Sequence, residues 1–334
     1  MNNAQTTIAN ISTNVSTQVE AMFLPKGLTM LGYQQNHALQ KDVPQKIEGY
    51  VFDRRFLREY RSWHNSPGER GFFIVGPTGC GKTTTIEAVN ALINIPTLKV
   101  SCHPSMDVLD LKGQLIFKQI EGTPFPVSEY VYGPLARAFK YGYTLIMDEN
   151  NLLQAGVNAG LNEVIRGDRL LIEQTGEVIH RHPMFRYIAT GNDWGRGLGE
   201  TRFGGLQEQN AAFLNRFWKF QVGYPTPEVE AQIIANRYPV LTKDISESMI
   251  KVANFIRPMI CGVGDEGKAT LEIDFSTRTL LDWVDTTLRF QGSENPLQYA
   301  LEIVLLAMLS KNEKEIVERA CQDIFGELYS KKVS

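Results

Sequence analysis

The sequence predicts an α/β protein, a parallel sheet between helices, followed by a separate all-helical domain. Three observations predict it. Short apolar runs alternate with helical patterns between Gly71 and Gln221, as strands and helices do in a doubly wound sheet. The first of these runs leads straight into a glycine-rich turn, Gly76-Pro-Thr-Gly-Cys-Gly-Lys-Thr83, with a helical pattern after it. Beyond Tyr224-Pro-Thr-Pro227 the texture changes, and residues 228–328 read mostly at helical period.

In order along the chain, residues 1–45 are a polar extension, expected to be partly disordered. Its first 40 residues carry two formal charges, Glu20 and Lys26. Within it, Val15, Val19, Met22, Phe23 and Leu24 suggest a short docking helix over residues 15–31. The α/β domain is placed at 46–224. Phe52, Phe56, Leu57, Tyr60 and Trp63 have helical spacing, with Arg54, Arg55, Arg58 and Arg61 as a charged face, and the helix stops at Asn65-Ser-Pro-Gly-Glu69. Strands follow at Gly71–Val75, Thr97–Val100, Tyr143–Met147, Tyr187–Thr190 and Phe217–Val222, the first read as buried. An insertion occupies about 107–133. Residues 169–180 alternate around a glycine turn, as a β-hairpin does. The helical domain is placed at 225–334.

Composition sets the outer limits. The 334 residues are 43% hydrophobic and 21% charged, with a net charge of −3, which excludes a largely disordered chain. No basic excess advertises nucleic acid or an anionic membrane. No apolar run reaches the length of a membrane span, and no secretory leader is expected from the polar amino terminus. Cys80, Cys102, Cys261 and Cys321 are dispersed, as expected for reduced thiols in a cytoplasmic protein. His180, His182, Cys102 and His103 lack the paired spacing of a zinc site.

The glycine-rich turn matches G-x-x-x-x-G-K-[ST] in full, in strand–loop–helix context. Glycines let backbone N–H groups converge on phosphate oxygens, and the helix amino terminus adds a favourable dipole. Lys82 suits the β- and γ-phosphates, and the Thr83 hydroxyl suits Mg²⁺. Cys80 is a small side chain in the loop, or a thiol activated near a helix start. The third strand ends in Asp148-Glu149. Beside a phosphate loop, Asp148 is placed to hold the metal and Glu149 to polarise the attacking water.

These two motifs resemble the Walker A and Walker B boxes of an AAA+ ATPase, and the rest of the order agrees. Tyr187-Ile-Ala-Thr-Gly-Asn192 resembles a sensor 1 strand, with Asn192 near the attacking water. Ala212-Phe-Leu-Asn-Arg216-Phe217 resembles an arginine-finger segment, and Ser276-Thr-Arg278 the sensor 2 start of a lid helix. The 107–133 segment resembles the helix-2 insert, and 169–180 the hairpin before sensor 1. Together they are similar to the MoxR and cobaltochelatase (CobS-like) families, over about Gly71 to Gln221 and more loosely in the lid. Asn150-Asn151 departs from the pattern of those relatives. The loop Ala189 to Gly199, with Trp194, Arg196, Gly195, Gly197 and Gly199, and Asn210 after it, resembles the cobaltochelatase subunit most.

The resemblance implies a nucleotide site formed by Gly76, Pro77, Thr78, Gly79, Cys80, Gly81, Lys82, Thr83, Thr84 and Arg278. It implies a catalytic set of Lys82, Glu149, Asn192 and Arg216, and a metal set of Thr83 and Asp148, serving ATP and Mg²⁺. It also implies a homo-oligomeric ring, a hexamer, working on a partner protein that carries a von Willebrand A domain. One alternative is a cobaltochelatase-like subunit. Another is a nucleic-acid motor, disfavoured because the hairpin tip Gln174-Thr175-Gly176 has no Lys or Arg. A scaffold that binds ATP without turnover is disfavoured by Glu149 and Arg216 together.

Overall fold

A computed structural model describes residues 17–20, 29–119, 125–192, 211–260 and 275–330. The described residues form two compact units. The first draws on Met1–Ile47, Phe52–Gly76 and Lys82–Gln221, the second on Glu48–Val51, Pro77–Gly81 and Val222–Ser334.

The first unit begins with a two-stranded antiparallel pair, β1 (Thr17–Glu20) and β2 (Thr29–Gly32). Residues 17–20 and 29–31 are therefore strand where a helix over 15–31 was expected; residues 15, 16 and 21–28 lie outside the described residues. Burial in β2 alternates with a period of two, and side chains of the next helix, α1 (Arg54–Asn65), take its backbone groups. Asn65 Oδ1 accepts from Leu31 N–H, while Arg61 and Asn65 both donate to Thr29 O. Residues within the expected extension also pack on this unit. Met30, Tyr33 and Leu39 are buried, and Tyr143 OH donates to Asp42 at 2.7 Å.

Helix α1 starts at Asp53, whose carboxylate accepts from Arg55 and Phe56 N–H. It buries Phe56, Leu57, Tyr60 and Trp63, as the spacing requires. Next come β3 (Gly71–Val75), α2 (Lys82–Leu92) and β4 (Thr97–Ser101). The insertion is α3 (Val108–Lys112) with an antiparallel hairpin, β5 (Gly113–Lys118) and β6 (Val127–Tyr132). Then follow α4 (Pro134–Tyr141), β7 (Thr144–Asp148) and α5 (Ala155–Arg166). A second hairpin pairs β8 (Arg169–Ile172) with β9 (Glu177–His180). After it come β10 (Arg186–Gly191), α6 (Ala211–Leu214) and β11 (Phe217–Gln221).

Five strands form one parallel sheet in the order β11-β3-β10-β7-β4. Both faces are covered, which is why β3 and β10 are buried along their whole length. Phe73, Val75, Leu145, Met147 and Tyr187 pack with Leu135, Phe139 and Leu161 in one core. Phe72 packs among Phe56, Tyr60, Trp63 and Phe220.

The second unit carries α7 (Pro227–Arg237), α8 (Lys243–Ile260), α9 (Thr277–Arg289), α10 (Pro296–Val304) and α11 (Lys311–Phe325). Their core includes Met249, Ile256, Leu280, Trp283, Leu301 and Phe325. A buried ion pair ties α7 to α8. Arg257 makes two bonds to Glu230, at 2.7 and 2.9 Å, and Thr277 Oγ1 donates to the same carboxylate at 2.8 Å. No helix among the described residues is long and apolar enough to cross a membrane.

Candidate active site

Sheet order builds the site. Strand β10 lies between β3 and β7, so the carboxyl ends of all three stand side by side, where parallel sheets place their ligands. The end of β3 gives Gly76, the end of β7 gives Asp148 and Glu149, and β10 runs on to Asn192. Helix α2 starts with Lys82 and Thr83.

The polar side chains at this edge already bond to one another. Thr83 Oγ1 donates to Asp148 Oδ1 at 2.6 Å. Lys82 Nζ donates to Gly76 O at 2.8 Å and to Asn192 Oδ1 at 3.0 Å. From the sheet side, Thr190 Oγ1 donates to the same Asp148 oxygen at 2.6 Å and accepts from Glu149 N–H at 3.1 Å. Thus the side chains of Lys82, Thr83, Asp148 and Asn192 come together at this edge, and Glu149 joins them through its backbone N–H.

Glu149 stands apart in backbone and exposure. Its φ of 58° and ψ of 43° are left-handed, a conformation that costs a non-glycine residue about 1–3 kcal/mol and often marks a functional position. Three bonds hold the turn: Glu149 N–H to Thr190, Leu152 N–H to Glu149 O, and Cys102 N–H to Asp148 O. The Glu149 carboxylate is exposed while Asp148 is half-buried, so the two acids face different surroundings. Burial pushes the nearby Cys102 thiol up to about 12, with Asp148 and Glu149 adding to the shift. Cys102 is therefore a neutral packing residue at neutral pH, not a nucleophile.

The donor set fits a hard divalent cation. Thr83 Oγ1 and Asp148 Oδ1 are a close pair of oxygens, and magnesium takes one or two protein oxygens together with phosphate oxygens. In the loop, the Thr78 hydroxyl is buried with no hydrogen-bond partner, a polar group left over for a ligand. Gly79 has a φ of 68°, and a Cβ built on it would lie 2.3 Å from Ser276 Oγ and 3.4 Å from Arg278 Cβ. No larger residue fits there. Ser276 caps α9 by accepting from Thr279 N–H, and Arg278 is exposed in the first turn.

Arg216 is not brought into this cluster. It follows α6 at the start of β11, and its carbonyl accepts from Gly71 N–H at 2.9 Å. Gly71 begins β3, whereas the phosphate loop leaves the other end, about 13 Å away at the usual strand rise. One guanidinium nitrogen of Arg216 donates to Ala212 O, and its Nε is buried without a partner.

Two features were not legible from motif reading. Thr190 belongs to no motif position; its only signal is a hydroxyl near the end of a strand beside two acids. The two hairpins are also joined. Lys112 Nζ reaches Leu171 O and Glu173, Leu115 N–H donates to Gln174, and Glu177 accepts from both Tyr132 and Lys140. Of the arginine face of α1, Arg55 pairs with Glu59 and stacks on Phe220, and Arg61 holds β2. No cluster of three metal-ligating side chains occurs among the described residues. Trp194, Gly195, Arg196, Gly197, Gly199, Asn210 and Cys261 lie outside them.

Residues 71–217 match the AAA domain of the dynein-related subfamily. The aerobic cobaltochelatase subunit CobS of a Sinorhizobium species is 26% identical over 328 residues, 96% of this chain and 93% of that one. Protein NorQ of Paracoccus denitrificans is 27% identical over 257 residues, 77% of this chain and 85% of that one. An uncharacterized protein of Staphylococcus haemolyticus is 28% identical over 257 residues, 76% of this chain and 90% of that one.

Proposed function

We propose a function from one premise: the chain belongs to the AAA+ ATPases, with an AAA domain of the dynein-related subfamily at residues 71–217. It is an ATP-hydrolysing P-loop NTPase related to CobS and NorQ. The finer reading is a cytoplasmic motor that remodels a partner protein or complex. It works as a homo-oligomeric ring, a hexamer, with ATP and Mg²⁺, and its partner carries a von Willebrand A domain.

The observation that carries this reading is the sheet edge, where Lys82 bonds Gly76 and Asn192, Thr83 bonds Asp148, and Glu149 is exposed. Lys82 binds the β- and γ-phosphates, exchanging its contacts with Gly76 and Asn192 for phosphate oxygens. Thr83 and Asp148 hold magnesium, which supplies charge neutralisation on the phosphates. Glu149 accepts a proton from the attacking water and orients it, and Asn192 fixes its approach. Arg216, bonded at the far end of β3, serves the γ-phosphate of a neighbouring subunit. Arg278 contacts nucleotide from the lid.

A second reading, ATPase subunit of a cobaltochelatase-like enzyme, is favoured by the CobS likeness, which runs over 96% of this chain. Phosphate release measured with and without a von Willebrand A partner separates the two. Stimulation together with ATP-dependent co-elution is expected of the motor. Hydrolysis indifferent to such a partner, combined with metal insertion into a corrinoid when chelatase subunits are added, would replace it by the second reading.

A further inference from the structure

The Thr190 hydroxyl has no role in the motifs, yet it touches both acids of the site. We propose that Thr190 is a positioning residue for hydrolysis, holding the Asp148 carboxylate and the left-handed Glu149 backbone in working geometry. This rests on the reading of Glu149 as the acid that orients water.

Register explains why a side chain is needed there. Strands β10 and β7 pair in parallel up to Ala189 opposite Met147. One residue further on, β7 leaves the ladder because Glu149 turns left-handed. Its N–H would lose a strand carbonyl at that point, and Thr190 Oγ1 accepts it instead. The hydroxyl's own proton goes to Asp148 Oδ1. A threonine hydroxyl has one proton to give and lone pairs to accept with, so Thr190 uses both functions, one on each acid.

Thr83 bonds the same Asp148 oxygen, but the two threonines are not equivalent. Thr83 is half-exposed at the start of the phosphate-loop helix and belongs to the metal set. Thr190 is fully buried in the central strand. It holds Asp148 from the sheet whichever way the Thr83 hydroxyl turns. The same bond to Glu149 N–H fixes where the Glu149 side chain leaves the strand end, and hence where it meets water.

Thr190→Val removes the hydroxyl at nearly constant volume, leaving Glu149 N–H and Asp148 Oδ1 each short of a partner. The expected result is kcat lower by about 10- to 100-fold, the usual loss when a residue that orients a metal ligand or catalytic group is removed. Affinity for a fluorescent ATP analogue, measured with and without Mg²⁺, should stay within about threefold, because Lys82 and the loop are intact. Thr190→Ser keeps the hydroxyl and should restore kcat. Thr190→Cys, with a weaker donor and acceptor, should fall between Ser and Val, which keeps the ranking readable should the valine variant fold poorly. A merely structural role would lower the melting temperature of all three without splitting kcat from affinity.

Wild-type kcat in Thr190→Val, or equal losses in Ser and Val, would overturn the proposal. Glu149→Gln is run alongside. If it is inactive while Thr190→Val is normal, the positioning role alone fails. If Glu149→Gln hydrolyses ATP normally, the reading of Glu149 fails instead.

Discussion

The sheet edge that carries the phosphate loop and the two joined hairpins are built in opposite ways. At the edge, every strand residue of β3 and β10 is buried, and the polar side chains bond to one another through short hydroxyl contacts. In the hairpins the joining groups are partly exposed ion pairs, Lys112 with Glu173 and Lys140 with Glu177, and apolar side chains lie open. Phe117 is 77% exposed, and Leu115, Leu171 and Val178 are close to half exposed. The first region holds its polar groups in fixed mutual geometry, which is what rate enhancement by positioning demands. The second is held by contacts that cost little to break. Changes at the edge should therefore remove rate and leave stability, whereas changes in the hairpins should alter both only slightly.

A large effect is expected on rate. Glu149→Gln keeps Lys82, Thr83 and Asp148, so ATP binding should persist while phosphate release falls by about 10²- to 10⁴-fold, the range for loss of a general base. Steady-state phosphate release and nucleotide titration check it. The opposite signature, stability lost through a buried polar group, is expected in the helical unit. Arg257→Ala leaves Glu230 buried without its partner, at a cost of about 3–5 kcal/mol, read from denaturant unfolding.

A smaller effect follows from two histidines of the α/β unit. Burial, reinforced by Arg186, lowers His64 to about 3 and His182 to about 4, against an ordinary value of 6.5. Folded, both imidazoles stay neutral well below the pH at which the unfolded chain protonates them. The unfolded state then binds more protons, so stability is full above pH 6.5 and declines as the pH falls from there toward about 4. Urea midpoints taken between pH 8 and pH 5 should fall with pH, and a flat profile would contradict the buried neutral rings. Smallest of all, Lys118→Met, which removes the exposed Lys118–Glu129 pair of the first hairpin, should shift stability by no more than about 1 kcal/mol. A larger shift would mean that the hairpins are as rigidly built as the edge.

The sheet was legible because its strands are short apolar runs bounded by turns, and the loop because Gly79, Lys82 and Thr83 stand at fixed offsets. Strands β1 and β2 were missed since four residues of mixed polarity carry little periodic signal. What fixes β2 is Asn65, Arg61 and His64, more than 30 positions away. Thr190 was hidden because a β-branched residue in a strand needs no other explanation. The hairpin junction joins Lys112 to Glu173 across 61 positions, a pairing that no local pattern encodes. The motif placed Arg216 near a phosphate, but the register of β11 on β3 was needed to see which end of the sheet it occupies.

That placement makes the central claim testable, namely that one chain supplies Lys82, Glu149 and Asn192 to its own nucleotide and Arg216 to a neighbour's. Arg216→Ala keeps a sound phosphate loop and lacks the finger; Lys82→Ala has the reverse defect. An arginine finger is worth about 10³- to 10⁵-fold in rate, so each variant alone should be nearly inactive. After the two are mixed and subunits exchange, some interfaces join an intact Lys82 to an intact Arg216. Phosphate release should then recover in proportion to the fraction of such interfaces. Mixed assemblies that demonstrably form and stay inactive would contradict a site shared between subunits.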